Sequence, residues 1–194
     1  SSFEFVHIGN HSHTHDYLVD KSDKEIEDDL KTSIKIFKDK LNHETKFFAY
    51  PFGEYKNSYI EIVKKLGFEY GFGQHSGVMD KTKNKYELPR FPINEKYGEE
   101  KRFKTLLNTI PFPYLKILPD EKYLSSKNNP PNVKIFFFEN GPNLKNINCF
   151  SNEEDKWRNS KINFISKNEI EILLDGKFVT ERGRINCSLR ENTG

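Results

Sequence analysis

Apolar residues recur at spacings of three and four through Ile26, Leu30, Ile34, Phe37 and Leu41, with charged residues between them. A helix of about five turns puts these on one face. Ser22-Asp23-Lys24-Glu25 precedes the stripe as a capping box, in which the Ser hydroxyl and Glu carboxylate satisfy free amides at the helix start. Ahead of it, Phe3 to Ile8 has the aromatic and β-branched content of a buried strand, ended by Gly9-Asn10. Lys46 to Tyr50 reads as a second strand, stopped by Pro51-Phe52-Gly53. Tyr59, Ile60, Val63 and Leu66 mark a second helix, with Gly67 placed to cap it. Phe68 to Phe72 is a further strand, Tyr86 to Ile93 an extended segment broken by Pro89 and Pro92, and Glu99 to Ile110 a third helix. Strands and helices alternating over short links predict a parallel-sheet α/β architecture.

The texture changes after Ile110. Pro111, Pro113 and Pro119 interrupt the chain, and Lys127 to Asn132 reads as a loop. Beyond it only strand-like runs appear: Val133 to Phe138, Ile147 to Phe150, Ile162 to Ile165, Ile170 to Leu174 and Arg184 to Leu189. Asn140-Gly141 and Asp175-Gly176 have the composition of hairpin turns. The pattern predicts an α/β domain over 1–114 and an all-β domain over 115–194.

Composition sharpens this in two ways. The 194 residues carry 31 Lys+Arg against 29 Asp+Glu, so no global field favours nucleic acid, and none is expected as a partner. No apolar run approaches the roughly 20 residues of a membrane span, so no transmembrane segment is expected. Histidine is uneven: all six lie in the first 75 residues, four between His7 and His15. His11 and His15, four apart, can converge on one cation if the intervening residues form a helical turn. Neutral imidazole suits Zn²⁺ and its first-row neighbours. The cluster follows a strand, where ligands of α/β sheets bind. Asp16 and Asp20 are the nearby candidates for a third ligand; His7 and His13 are expected to pack or support, and His43 to be solvated.

His11-Ser12-x-x-His15 resembles the metal-binding motif of the polysaccharide deacetylases, the NodB-homology domains of carbohydrate esterase family 4. Tyr50-Pro51-Phe52-Gly53 resembles the family's next landmark loop, after one intervening helix. The resemblance covers roughly residues 1–110. It implies a distorted (β/α) barrel, here partial, followed by a small sandwich-like accessory domain. It also implies metal-dependent removal of acetyl groups from an N-acetylated polysaccharide or oligosaccharide outside the cytoplasm. By position, His11 and His15 would hold the divalent metal, with zinc the first candidate. Phe52 would supply a backbone N–H to the oxyanion, and Tyr50, Pro51 and Phe52 would form a wall against the sugar.

The sequence also departs from the family. The Asp-Asp pair that gives the base and third ligand would lie before residue 1, so weak metal affinity and little activity are expected of the sequence as given. Ala49 stands where the family has Arg. Trp157, the only Trp, lies in the second half, and no L-x-H segment follows. Leu88-Pro89-Arg90-Phe91 stands where that motif would be, making Arg90 a candidate to orient a carboxylate or contact sugar, and His75 a candidate replacement acid. These gaps leave a second reading, a non-catalytic carbohydrate-binding or scaffold protein on a degenerate barrel. Cys149 and Cys187 fall in separate predicted strands and fit either an intersheet disulfide or two buried thiols; an extracytoplasmic enzyme favours the disulfide. Trp157, Phe136, Phe138 and Phe164 fit a sugar-stacking platform or, for most of them, the core.

Overall fold

The computed structural model describes residues 6–190, so Phe3 to Phe5 of the predicted strand lie outside the described residues, and Val6 to Ile8 are not strand; the pairing starts at the single bridge of Asn10. The chain divides into two compact units, one ending at Pro111 and the other starting at Phe112. The first is mixed α/β and the second is built of antiparallel sheet.

In the first unit, α1 spans Asp23–Leu41 and starts with the expected capping box at Ser22 and Glu25. Asn42, in the left-handed region at φ 46°, ends it by donating its N–H to Lys38 O. Ile26 and Leu30 are fully buried and Ile34 partly so, but Leu41 is 48% exposed, so the apolar stripe leaves the core in its last turn. Strands β1 (Phe47–Ala49) and β2 (Tyr70–Phe72) pair in parallel, with α2 (Asn57–Lys65) between them. Gly67, at φ 90°, follows α2 in the conformation a helix-ending glycine adopts. Single parallel bridges, Asn10 to Phe48 and Phe72 to Leu88, extend the pairing on either side. The core is Leu18, Ile26 and Leu30 packed with Phe48, Tyr50, Tyr59, Ile60, Val63 and Phe68. Its rings meet edge to face: Tyr50 stands perpendicular to both Phe48 and Tyr59, at centroid distances of 5.2 and 5.1 Å. The third helix, α3, is shorter than expected (Glu100–Leu107) and buries none of its residues.

The second unit has two sheets. One runs β3 (Tyr114–Leu118), β4 (Val133–Phe137), β8 (Glu169–Leu173), β7 (Lys161–Ser166); the other runs β6 (Arg158–Asn159), β5 (Ile147–Ser151), β9 (Ile185–Leu189). Every pairing is antiparallel. Val133, Ile135 and Phe137 of β4, Ile170 and Ile172 of β8, and Ile147 and Cys149 of β5 share one hydrophobic cluster.

Several expectations are corrected here. Asn140-Gly141 and Asp175-Gly176 are not hairpin turns, because each links strands of different sheets; the tight hairpin joins β7 to β8 instead. Cys149 and Cys187 are disulfide-bonded, but across adjacent strands of one sheet rather than between sheets: they face each other on β5 and β9 with Cα atoms 4.1 Å apart. The core reading fails for Phe138, Trp157 and Phe164, which are 51, 56 and 53% exposed. On β4 the odd-numbered residues turn inward, so Phe137 enters the core and its neighbours do not.

Candidate functional site

The site is assembled where Asn10 joins the sheet. Its main chain bonds both ways to β1, donating to Phe47 O at 2.9 Å and accepting from Ala49 N at 2.9 Å. Its buried side-chain oxygen accepts from Ser33 Oγ of α1 at 2.6 Å and from Ser12 N at 3.1 Å. One asparagine thus ties sheet, helix and the following loop together.

The segment from His11 to His15 is a bend, not the helical turn on which the spacing argument rested. Ser12 and His15 adopt positive φ, 67° and 57°, and Ser12 Oγ accepts from His15 N at 3.0 Å. Asp29 of α1 supports the bend from beneath, its carboxylate accepting from His13 N, Thr14 N and Thr14 Oγ at 2.9, 3.0 and 2.8 Å. That backbone route still brings the two rings together, in a T-shaped arrangement with centroids 4.8 Å apart. With metal–nitrogen bonds of about 2.0–2.1 Å, two imidazoles on one tetrahedral ion place their ring centres about 5 Å apart, so the pair fits a shared cation.

The tautomer of His11 follows from its partner. Its Nδ1 lies 2.7 Å from Ala49 O, and a carbonyl can only accept, so Nδ1 carries the proton. The Nε2 lone pair is then left for a cation, the arrangement by which an outer hydrogen bond orients a metal-binding histidine. Among the described residues, no group of three His, Cys, Asp or Glu side chains is placed to hold a metal ion, so Asp16 and Asp20 do not complete the pair.

The loop after β1 stands beside the histidines. Phe52, at φ 58°, packs its ring edge-on against His15 at 4.8 Å and meets Tyr17 at 5.5 Å. Of the wall expected from Tyr50, Pro51 and Phe52, only Phe52 reaches the surface; Pro51 is buried, and Tyr50 lies fully inside the aromatic core. Burial pushes the Tyr50 phenol well above its ordinary range, helped by neighbouring tyrosines, and its hydroxyl has no hydrogen-bond partner among the described residues. Such a group holds the loop in place instead of contacting a ligand.

Gly53, at φ 75°, presses this loop against the one after β2: a Cβ there would lie 2.1 Å from that of Gln74. Arg90 and His75 meet on that second loop. Arg90 Nε donates to Gly73 O at 2.7 Å, Arg90 N donates to His75 O at 3.0 Å, and His75 lies 6.3 Å from the Tyr55 ring. The first side of the site opens onto a cleft of about 360 Å³ between residues 9–13 and the Ser33–Leu41 stretch of α1. Sequence reasoning missed Asn10, Asp29, Ser33 and the Ala49 carbonyl. Asp29 and Ser33 had left a signal, since both are polar residues on the buried face of α1 between Ile26 and Ile34.

The family match falls on this unit. Residues 4–71 match the family described as polysaccharide deacetylase. The matched stretch carries both histidines and the Phe52 loop. Poly-beta-1,6-N-acetyl-D-glucosamine N-deacetylases from several Staphylococcus aureus strains are 29% identical over 94 residues, covering 43% of this chain and 32% of each relative. The match thus spans about a third of the length of those curated relatives. Among solved structures, a Streptococcus pyogenes deacetylase, PplD, in complex with acetate is similar at a TM-score of 0.48 and 21% identity, over 52% of this chain and 44% of that one.

Proposed function

We propose that this chain is part of a metal-dependent hydrolase that removes N-acetyl groups from an N-acetylglucosamine-type polysaccharide outside the cytoplasm. One observation carries the reading: His11 and His15 converge beside Phe52 within the polysaccharide deacetylase stretch. On this reading the parallel strands belong to a distorted (β/α) barrel, and the second unit is a sandwich-like accessory domain. The disulfide suits an oxidising compartment.

His11 and His15 would hold a divalent ion, zinc first, which when bound polarises a carbonyl and acidifies water. The chain's own residues do the positioning. Ala49 O fixes the His11 ring, and Asp29 fixes the bend that carries His15. The Phe52 main-chain N–H is the donor assigned to the developing oxyanion, and its ring is the surface offered to the sugar. His75 is the assigned proton donor to the leaving amine, with Arg90 holding its loop.

Calorimetric titration with Zn²⁺ tests this. Saturable, weak binding at one site per chain is expected, lowered about tenfold or more by His11→Ala and by His15→Ala. Release of primary amine from an N-acetylglucosamine oligosaccharide is expected to be slight and should follow the same dependence. Zn²⁺ binding indifferent to both substitutions overturns the metal site.

A further inference from the structure

The outward face of the β6–β5–β9 sheet carries no charged residue at any strand position, in a chain that is 31% charged. Cys149 and Cys187 point into the core, so alternation turns Asn148 and Phe150 of β5 outward. Register places Ser188 opposite Asn148, and both Asn186 and Asn159 opposite Phe150. All five are exposed. Trp157 enters β6 through extended backbone at Lys156, two residues before Asn159, which puts it on the same face. Phe150 and Trp157 are 39 and 56% exposed and stand diagonally, with Cα positions about 7–8 Å apart. The side chains of Asn148, Asn159, Asn186 and Ser188 make no hydrogen bond to the described residues.

We propose that this face binds an uncharged N-acetylhexosamine chain. Three properties point to that occupant. Two exposed rings in diagonal register offer successive apolar platforms to pyranose C–H faces. Around them, unspent amides and a hydroxyl supply donors and acceptors for sugar hydroxyl and acetamido groups. The strand positions lack the formal charge that an acidic or basic partner would engage, with Arg184 and Arg190 lying only beyond the ends of β9. The disulfide staples β5 to β9 directly beneath, so the platform is rigid before the ligand arrives and little ordering opposes binding. The choice of glycan rests on the deacetylase reading of the first unit; tethering such a surface to that unit raises the effective concentration of polymer near it.

Trp157 is the only tryptophan, so its fluorescence reports on this face alone. Titrating the full chain with a soluble N-acetylglucosamine hexamer should shift that emission saturably. Phe150→Ala and Asn186→Asp, both at exposed positions, should raise the dissociation constant about tenfold while leaving the circular dichroism unchanged. His11→Ala should leave it unaltered, which separates failure of the metal site from failure of this surface. Absence of a spectral change at millimolar hexamer overturns the proposal, as does an affinity in both face variants equal to that of the unsubstituted chain. A concentration-dependent dimer broken by those same substitutions also overturns it, since the face would then join two copies of this chain.

Discussion

At the scale of single residues, the site depends on polar groups that support the histidines without touching a ligand. Asp29 accepts three hydrogen bonds from the bend between His11 and His15 and is only 9% exposed. Removing a buried charged acceptor leaves its donors unpaired, which costs more than the bond itself contributed. Asp29→Ala is therefore expected to destabilise the chain by about 2–3 kcal/mol in urea unfolding and to weaken Zn²⁺ binding severalfold. Asp29→Asn should fall between, because its amide keeps one acceptor but turns an N–H towards the loop amides. A stability loss with unchanged Zn²⁺ affinity would show that Asp29 does not position His15. The histidine pair was legible from its spacing, but the means of convergence was not. Positive φ at Ser12 and His15 goes with local bonds from Asn10 and Ser12, while Asp29, which holds the bend between them, is a tertiary partner that leaves no trace in the local pattern.

Elements with local determinants were the legible ones. α1 carries its own start signal and its own stripe, and the structure reproduces the capping box, with Ser22 N and Oγ both donating to Glu25 Oε2, at 2.9 and 2.5 Å. Those bonds hold the Glu25 carboxyl below its ordinary range. A lowered folded-state pKa stabilises above the unfolded value of 4.5, and the contribution is lost as pH falls through the folded value. Ser22→Ala should thus cost more stability at neutral pH than in acid below the folded-state value, measured as the difference from wild type at each pH. An equal cost at both would place the effect outside the carboxylate bond. By contrast, β3 and β6 were not read as strands. β3 sits among Pro113 and Pro119, which bracket the pairing rather than break it, and β6 is two residues long, shorter than any alternating pattern can show. The turn signals at Asn140-Gly141 and Asp175-Gly176 were real turn chemistry, but which sheet a chain enters next depends on long-range packing that a dipeptide does not encode.

For the whole molecule, the division of labour between the two units makes their stabilities separable. Each unit has its own hydrophobic cluster, and both cysteines lie in the second. A cross-link between residues 38 positions apart restricts the unfolded chain of that unit by an amount worth about 3–4 kcal/mol on the chain-entropy view. The first unit, up to Pro111, has no cysteine to reduce. Calorimetric unfolding should therefore resolve two transitions, of which only one moves to lower temperature under reductant. Zn²⁺ should raise the other, because a ligand that binds only the folded form stabilises the unit that holds it. The pair of perturbations assigns each transition without cutting the chain. If reductant shifted both transitions together, the units would unfold as one body, and the β unit would be a structural support of the histidine site rather than a separate platform joined to it.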